Sequence, residues 1–278
     1  MTKVYNRETK EYSEINHYGE KYLKTIYSHN ILTYIFTKKI ISSIYGLINR
    51  LPISRIKIKK FIKDNHINME LYEKKQYKSF NDFFIRKLKN IDYDNSINSF
   101  ISPCTSKLLV YKIGNNLKVN IKGIDYSLHQ LFNDDIEFIK DAYMFVYRLS
   151  VDDYHRFHHI DDGKRILKKE IKGKYHTVSD ASNKHQIYQE NHRSYSILDT
   201  KHFGKIIYME VGALLIGKIV DHDLDTFKRG EEKGYFLPGA STVIVIAKDI
   251  DINPDIINNS KKGIETIVNC GEKVGSKR

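Results

Sequence analysis

The chain has 278 residues, 41% of them hydrophobic, enough for a sizeable buried core in one large domain or two small ones. Its net charge of +12 calls for a polyanionic partner; with no zinc finger, RNP-type aromatic motif or Arg-rich arm, an anionic membrane is expected and nucleic acid is not. The two cysteines, Cys104 and Cys270, exclude a disulfide framework and fit a reducing compartment.

The opening residues Met1-Thr2-Lys3-Val4-Tyr5-Asn6-Arg7-Glu8 have no apolar core, so no signal peptide is expected. The first hundred residues read as mainly helical. Across residues 31–51, Ile31, Leu32, Ile35, Phe36, Ile40, Ile41, Ile44, Tyr45, Ile48 and Leu51 recur at helical spacing. Lys38, Lys39, Ser42, Ser43, Asn49 and Arg50 take the other side, and Pro52 ends the helix. Such a basic amphipathic helix either lies in a membrane interface, anchored by Tyr34, Phe36 and Tyr45, or packs on the protein's own core. A second basic run occupies residues 55–63. Ser79 is placed to cap a short helix whose aromatic residues, Phe80, Phe83 and Phe84, face inward.

From about residue 101 the texture changes. Short apolar runs at 108–111, 143–149, 206–211, 214–220 and 242–247 alternate with turn residues, which predicts strands. Asp162-Gly163 and His202-Phe203-Gly204-Lys205 are turns between them. The expected organisation is a helical, membrane-associating region over 1–95 and a β-rich catalytic core over 96–278. The uncharged stretch at 234–247 is too short to span a bilayer, so a membrane-bound chain would lie on the surface.

Two motifs carry chemistry. Asp153-Tyr154-His155-Arg156-Phe157-His158-His159 holds three histidines in five residues. A metal site, a polar core position and general acid/base work are the three readings. Zinc needs further well-spaced ligands, and the two cysteines are single and scattered, so no metal is expected. Acid/base use fits better, because imidazole titrates near neutral pH. The second motif is Glu231-Glu232-Lys233-Gly234-Tyr235-Phe236-Leu237-Pro238-Gly239-Ala240-Ser241-Thr242, which runs straight into the apolar Val243-Ile244-Val245-Ile246.

The second motif resembles the self-cleavage site of the phosphatidylserine decarboxylase family, close to Gly-Tyr-Phe-x-x-Gly-Gly-Ser-Thr-Val. Residues 154–158 reproduce that family's Tyr-His-Arg-x-His. Phe80-Asn81-Asp82-Phe83-Phe84-Ile85-Arg86-Lys87-Leu88-Lys89, Val211-Gly212-Ala213 with Gly217, and Lys228-Arg229-Gly230 complete an ordered set over nearly the whole chain. The resemblance implies an α+β fold, N-terminal amphipathic helices followed by a β-rich core. It also implies self-cleavage between Ala240 and Ser241. Ser241 Oγ attacks the Ala240 carbonyl, the resulting ester undergoes β-elimination, and the dehydroalanine left behind hydrolyses to a pyruvoyl group and ammonia. That covalent cofactor, derived from Ser241, forms a Schiff base with phosphatidylserine and acts as the electron sink for loss of CO2, giving phosphatidylethanolamine.

In the family, His155 corresponds to a histidine of substrate handling or proton transfer, and His158 to the base of self-cleavage. The aspartate completing a Ser-His-Asp arrangement sits in Ser-Pro-x-Asp-Gly. Here the run is Ser102-Pro103-Cys104-Thr105-Ser106, so Thr105 holds the aspartate position, with Asp152, Asp153 and Asp161 as nearby carboxylates. Ala240 replaces a glycine and restricts φ where the nucleophile must reach its own backbone. Leu214-Leu215 stands where relatives carry small or polar residues. The expected partners are phosphatidylserine, an anionic membrane surface, the chain's own cleaved C-terminal piece and a second copy in a homodimer. The expected location is peripheral, on the cytoplasmic side of the cell membrane. The competing reading is a non-catalytic paralogue that keeps the fold and binds anionic lipid or a partner protein.

Overall fold

In a computed structural model the described residues are 2–15, 19–73, 75–178, 182, 185–214, 218–238 and 241–278. Their centre is a ten-stranded sheet in the order Thr226–Phe227, Gly163–Ile171, Arg193–Thr200, Gly204–Val211, Ser241–Ala247, Tyr143–Leu149, Ser106–Lys112, Glu265–Val268, Thr2–Asn6 and Glu11–Ile15. Neighbours run antiparallel except Thr2–Asn6 beside Glu265–Val268, which is parallel. Successive side chains of a strand point to opposite faces. Phe145, Tyr147, Val243 and Val245 therefore pack into one cluster, while Met144, Val146, Ile244 and Ile246 pack into another. With both faces covered, the strand reads in sequence as an unbroken apolar run.

Most of the expected strands are present, and the turn at 201–203 closes the hairpin between Arg193–Thr200 and Gly204–Val211. The run at 214–220 is corrected. Of its described residues only Ile219 and Val220 are extended, in the strand Ile219–Asp221, Leu214 N donates instead to His176 O, and residues 215–217 lie outside the described residues. A small sheet of Ile219–Asp221, Glu232–Phe236 and Arg156–His158 joins both chemical motifs.

The N-terminal region is mainly helical, as expected, but it opens with two strands. Thr2–Asn6 and Glu11–Ile15 form a hairpin, and Val4 lies opposite Glu265. Five residues of alternating burial are too short a signal to read alone, and the partner strand is some 260 positions away. Helix 31–51 is in fact two helices, Asn30–Phe36 and Lys39–Arg50, bent by 56°. Thr37 sits at the break and donates its hydroxyl back to Thr33 O at 2.8 Å, a local competition with the helical ladder.

These helices pack on the protein through their polar face, the reverse of the face expected to do so. Their buried residues are the small or polar Thr33, Ser42, Gly46 and Asn49, held by Asn81 Nδ2 donating to Gly46 O at 3.1 Å. Their large apolar residues face outward, with Ile31 75%, Ile40 65% and Leu47 61% exposed. Lys38, Lys39 and Arg50 are also exposed. The Ser79 cap is present. Its Oγ accepts from Asp82 N at 3.2 Å, and Phe80, Phe83 and Phe84 of the helix Phe80–Phe84 are buried.

Candidate active site

Arg156–His158 is a three-residue strand, buried throughout and paired with Glu232–Phe236. Just before it, the His155 carbonyl accepts from Phe236 N at 2.9 Å. This bond places His155 beside the segment that leads into Ser241. At the other end His158 N donates to Pro103 O at 2.9 Å, which sets the loop carrying Thr105 against His158.

Both rings have defined tautomers. His155 Nδ1 lies 2.9 Å from Asp153 O. A carbonyl only accepts, so Nδ1 carries the hydrogen and Nε2 is bare. That Nε2 is buried without a hydrogen bond among the described residues. The Phe84 ring packs against the imidazole, centroids 4.1 Å apart. Burial holds the His155 pKa down at about 3, so the ring is neutral at physiological pH. Asp153 is itself fixed by Lys107 Nζ at 2.7 Å and by Ser150 N at 2.6 Å.

His158 Nδ1 lies 3.0 Å from Gly230 O and 3.0 Å from Tyr93 Oη. Tyr93 in turn donates to Gly230 O at 2.8 Å. Nδ1 therefore bears the hydrogen, and Nε2 accepts from Tyr154 Oη at 3.3 Å. Burial lowers the pKa of His158 as well. Gly230 is needed here twice over. Its φ is +77°, and a Cβ would stand 2.9 Å from Tyr93 Cζ.

Ser241 opens the strand Ser241–Ala247, wedged between Tyr143–Leu149 and Gly204–Val211. It is fully buried, and its Oγ has no hydrogen-bond partner among the described residues. Ala240, the other half of the cleavage site, lies outside them. Thr105 Oγ1 accepts from Cys270 N at 3.2 Å. Two of the three nearby carboxylates are committed elsewhere: Asp153 to Lys107, and Asp161 to His202 N and Nδ1 at 2.7 and 2.8 Å. His159 leaves the group and stacks on Phe227, centroids 3.7 Å apart. A cavity of about 1150 Å³ is lined by Thr105, Tyr93, Tyr154, Cys270 and Asp152, but not by Ser241, His155 or His158.

Sequence reasoning missed Tyr93, the Gly230 carbonyl and Phe84 as contacts of the two histidines. Gly230 was legible as a turn glycine. Tyr93 was not, because its segment reads as a linker and only the fold brings it to His158.

The family described as phosphatidylserine decarboxylase matches residues 80–276. The chain is 41% identical to phosphatidylserine decarboxylase proenzyme 2 of Clostridium acetobutylicum, over 98% of this chain and 97% of that one. It is 41% identical to a phosphatidylserine decarboxylase proenzyme of Clostridium botulinum, with both chains fully covered. With a proenzyme of the same description from Clostridium tetani it shares 39% identity, over all of this chain and 99% of the other.

Proposed function

The chain belongs to the phosphatidylserine decarboxylase family, and from that premise we propose how it matures and decarboxylates phosphatidylserine. It is a carboxy-lyase of the self-processing kind, which disfavours the non-catalytic paralogue. In our reading, processing runs between Ala240 and Ser241, and His158 Nε2 takes the proton as Ser241 Oγ attacks the Ala240 carbonyl. The observation that carries this reading is Ser241 Oγ, buried without a hydrogen-bond partner among the described residues, together with His158, whose Nδ1 is held by Gly230 O and Tyr93 so that Nε2 is the accepting nitrogen. An orphaned buried hydroxyl costs about 1–3 kcal/mol, which a nucleophile kept for cleavage would explain.

The pyruvoyl group expected at Ser241 would supply a carbonyl electron sink for the carboxylate that leaves. Around it the residues have separate roles. His155, neutral and bare at Nε2, would hold or return a proton. The Gly230 carbonyl and Tyr93 would keep His158 in the base tautomer, a task that falls to the carboxylate in serine-protease triads. Thr105 occupies the family's aspartate position, but its hydroxyl is engaged by Cys270 N. His158→Ala is expected to slow maturation by about 10²–10⁴-fold, as loss of a general base does. Intact mass followed over time measures it; maturation at the wild-type rate would remove His158 from the reading.

The cut would leave residues 241–278 as the small chain. It stays attached in this account because Ser241–Ala247 is hydrogen-bonded on both edges and Glu265–Val268 lies between Thr2–Asn6 and Ser106–Lys112.

The substrate is a lipid, and we propose that the chain reaches it peripherally, at the anionic cytoplasmic membrane face. Among the described residues no single helix is long and apolar enough to cross a bilayer, though the bent pair Asn30–Phe36 and Lys39–Arg50 passes that test jointly. Exposed Ile31, Tyr34, Ile40, Ile44 and Leu47, with Lys38 and Lys39 beside them, suit an interfacial helix. Leu47→Glu and Ile40→Glu are each expected to weaken sedimentation with anionic vesicles by at least about tenfold, since each forfeits the burial of one aliphatic side chain. Binding indifferent to both substitutions and to salt would refute the proposed surface.

A further inference from the structure

Away from the motifs already described, the segment after Gly163–Ile171 gathers a second cluster. His176 Nε2 lies 3.3 Å from Glu190 Oε2, and His185 Nδ1 lies 3.8 Å from Glu190 Oε1. The two imidazoles stack, with centroids 4.3 Å apart. The donor atoms of all three residues lie within 4.8 Å of one another. We propose that His176, His185 and Glu190 form a binding site for a divalent transition-metal ion of the zinc class.

The donor set selects the class. Two imidazole nitrogens and one carboxylate suit zinc and its neighbours, whereas magnesium and calcium take oxygen ligands. Zinc with Zn–N distances of about 2.0–2.1 Å in a tetrahedron needs donors roughly 3.3 Å apart. The observed spacings run from that value upward to no more than 4.8 Å, so small side-chain movements close the site. Three protein ligands leave a fourth position for water or an anionic group.

Two further observations point the same way. His176 is buried, with a side chain only 2% exposed, yet its Nε2 forms no hydrogen bond among the described residues. Its other nitrogen, Nδ1, lies 3.3 Å from Tyr27 Oη, and Tyr27 Oη is itself positioned by Thr177 N at 2.8 Å. Where Nδ1 donates to that oxygen, the contact is the outer-shell kind that aims Nε2 at a metal. The competing cation is Lys174, whose Nζ is 3.1 Å from Glu190 Oε2. Gln186 N, 3.2 Å from Glu190 Oε1, is the neutral contact the metal would displace or share.

The test uses the untagged full chain, stripped with a chelator and titrated with Zn²⁺ by calorimetry, with Co²⁺ absorption reporting geometry. One equivalent is expected to bind. His185→Ala and Glu190→Gln should each weaken binding by at least about 100-fold, and Tyr27→Phe by about tenfold. His129→Ala, at an exposed histidine paired with Asp135, should leave the affinity unchanged and so controls for scattered surface histidines. His185 is half-buried, so its variant keeps the test usable even where His176→Ala fails to fold. Absence of stoichiometric zinc binding, or equal affinity in the wild type and both ligand variants, overturns the site.

Discussion

Ser241→Ala is expected to leave the chain intact at 32.7 kDa, with decarboxylase activity at background. The substitution removes one atom, Oγ, from a fully buried position where that atom has no hydrogen-bond partner among the described residues. Deleting an unsatisfied buried hydroxyl is neutral or stabilising for the fold. The loss is therefore chemical. Without Oγ nothing attacks the Ala240 carbonyl, and no precursor of the expected cofactor forms. Thr242 does not substitute. It is one residue further along and, in a strand, its side chain points to the opposite face. Removing a nucleophile of this type costs about 10⁶ in rate. Intact-mass spectrometry and CO2 release from phosphatidylserine vesicles are the measurements. Wild-type chain that never yields a 241–278 fragment, while folded and active, would disprove the maturation scheme.

Glu265→Gln is expected to produce the largest loss of stability. Glu265 Oε2 is bonded by Arg148 Nη2 at 2.5 Å and Oε1 by Arg148 Nε at 3.0 Å, with Lys122 Nζ 3.1 Å from Oε1. Both Arg148 and Glu265 are buried. They reach across the intervening strand Ser106–Lys112. Burial alone would raise the Glu265 carboxyl, but the charges of Arg148 and Lys122 and their hydrogen bonds override it and hold the pKa at about 2, below the ordinary 4.5. Glutamine keeps the shape and leaves Arg148 buried without its counter-charge. Removing one partner of a buried pair costs about 3–5 kcal/mol, and the depressed pKa corresponds to about 3 kcal/mol. A fall in Tm of roughly 6–12 °C should follow for a chain of this size. Because the folded pKa is lowered, this stability is fully present above the unfolded value of 4.5 and is lost as pH falls from there toward about 2. The acid limb of denaturation should therefore be shallower in the variant. Equal melting temperatures at pH 7 would show that the pair contributes nothing.

The core strands were legible because apolar runs of four to seven residues, bounded by turn residues, admit few other structures in a chain of this length. The hairpin Thr2–Asn6 with Glu11–Ile15 was not, since its stability comes from pairing with Glu265–Val268. The helical periodicity of residues 31–51 was read correctly, but its direction could not be. An amphipathic pattern states that two faces differ, not which one meets the protein. Asn49, Gly46 and Ser42 face inward, with Asn81 bonded to the Gly46 carbonyl and Ser54 and Lys57 to Asn49.

The candidate site divides in the same way. The order of the motifs by itself determined the family, the reaction and which histidines and serine to consider. What surrounds those side chains was decided by the tertiary structure. Gly230 O and Tyr93 meet His158 from positions 72 and 65 residues away in sequence, and Thr105 turns to Cys270 instead. Residue type and local spacing encode what a side chain can do. The identity of its hydrogen-bond partner depends on long-range strand pairing, which brings distant backbone carbonyls and hydroxyls to a ring whose neighbours in sequence give no sign of them.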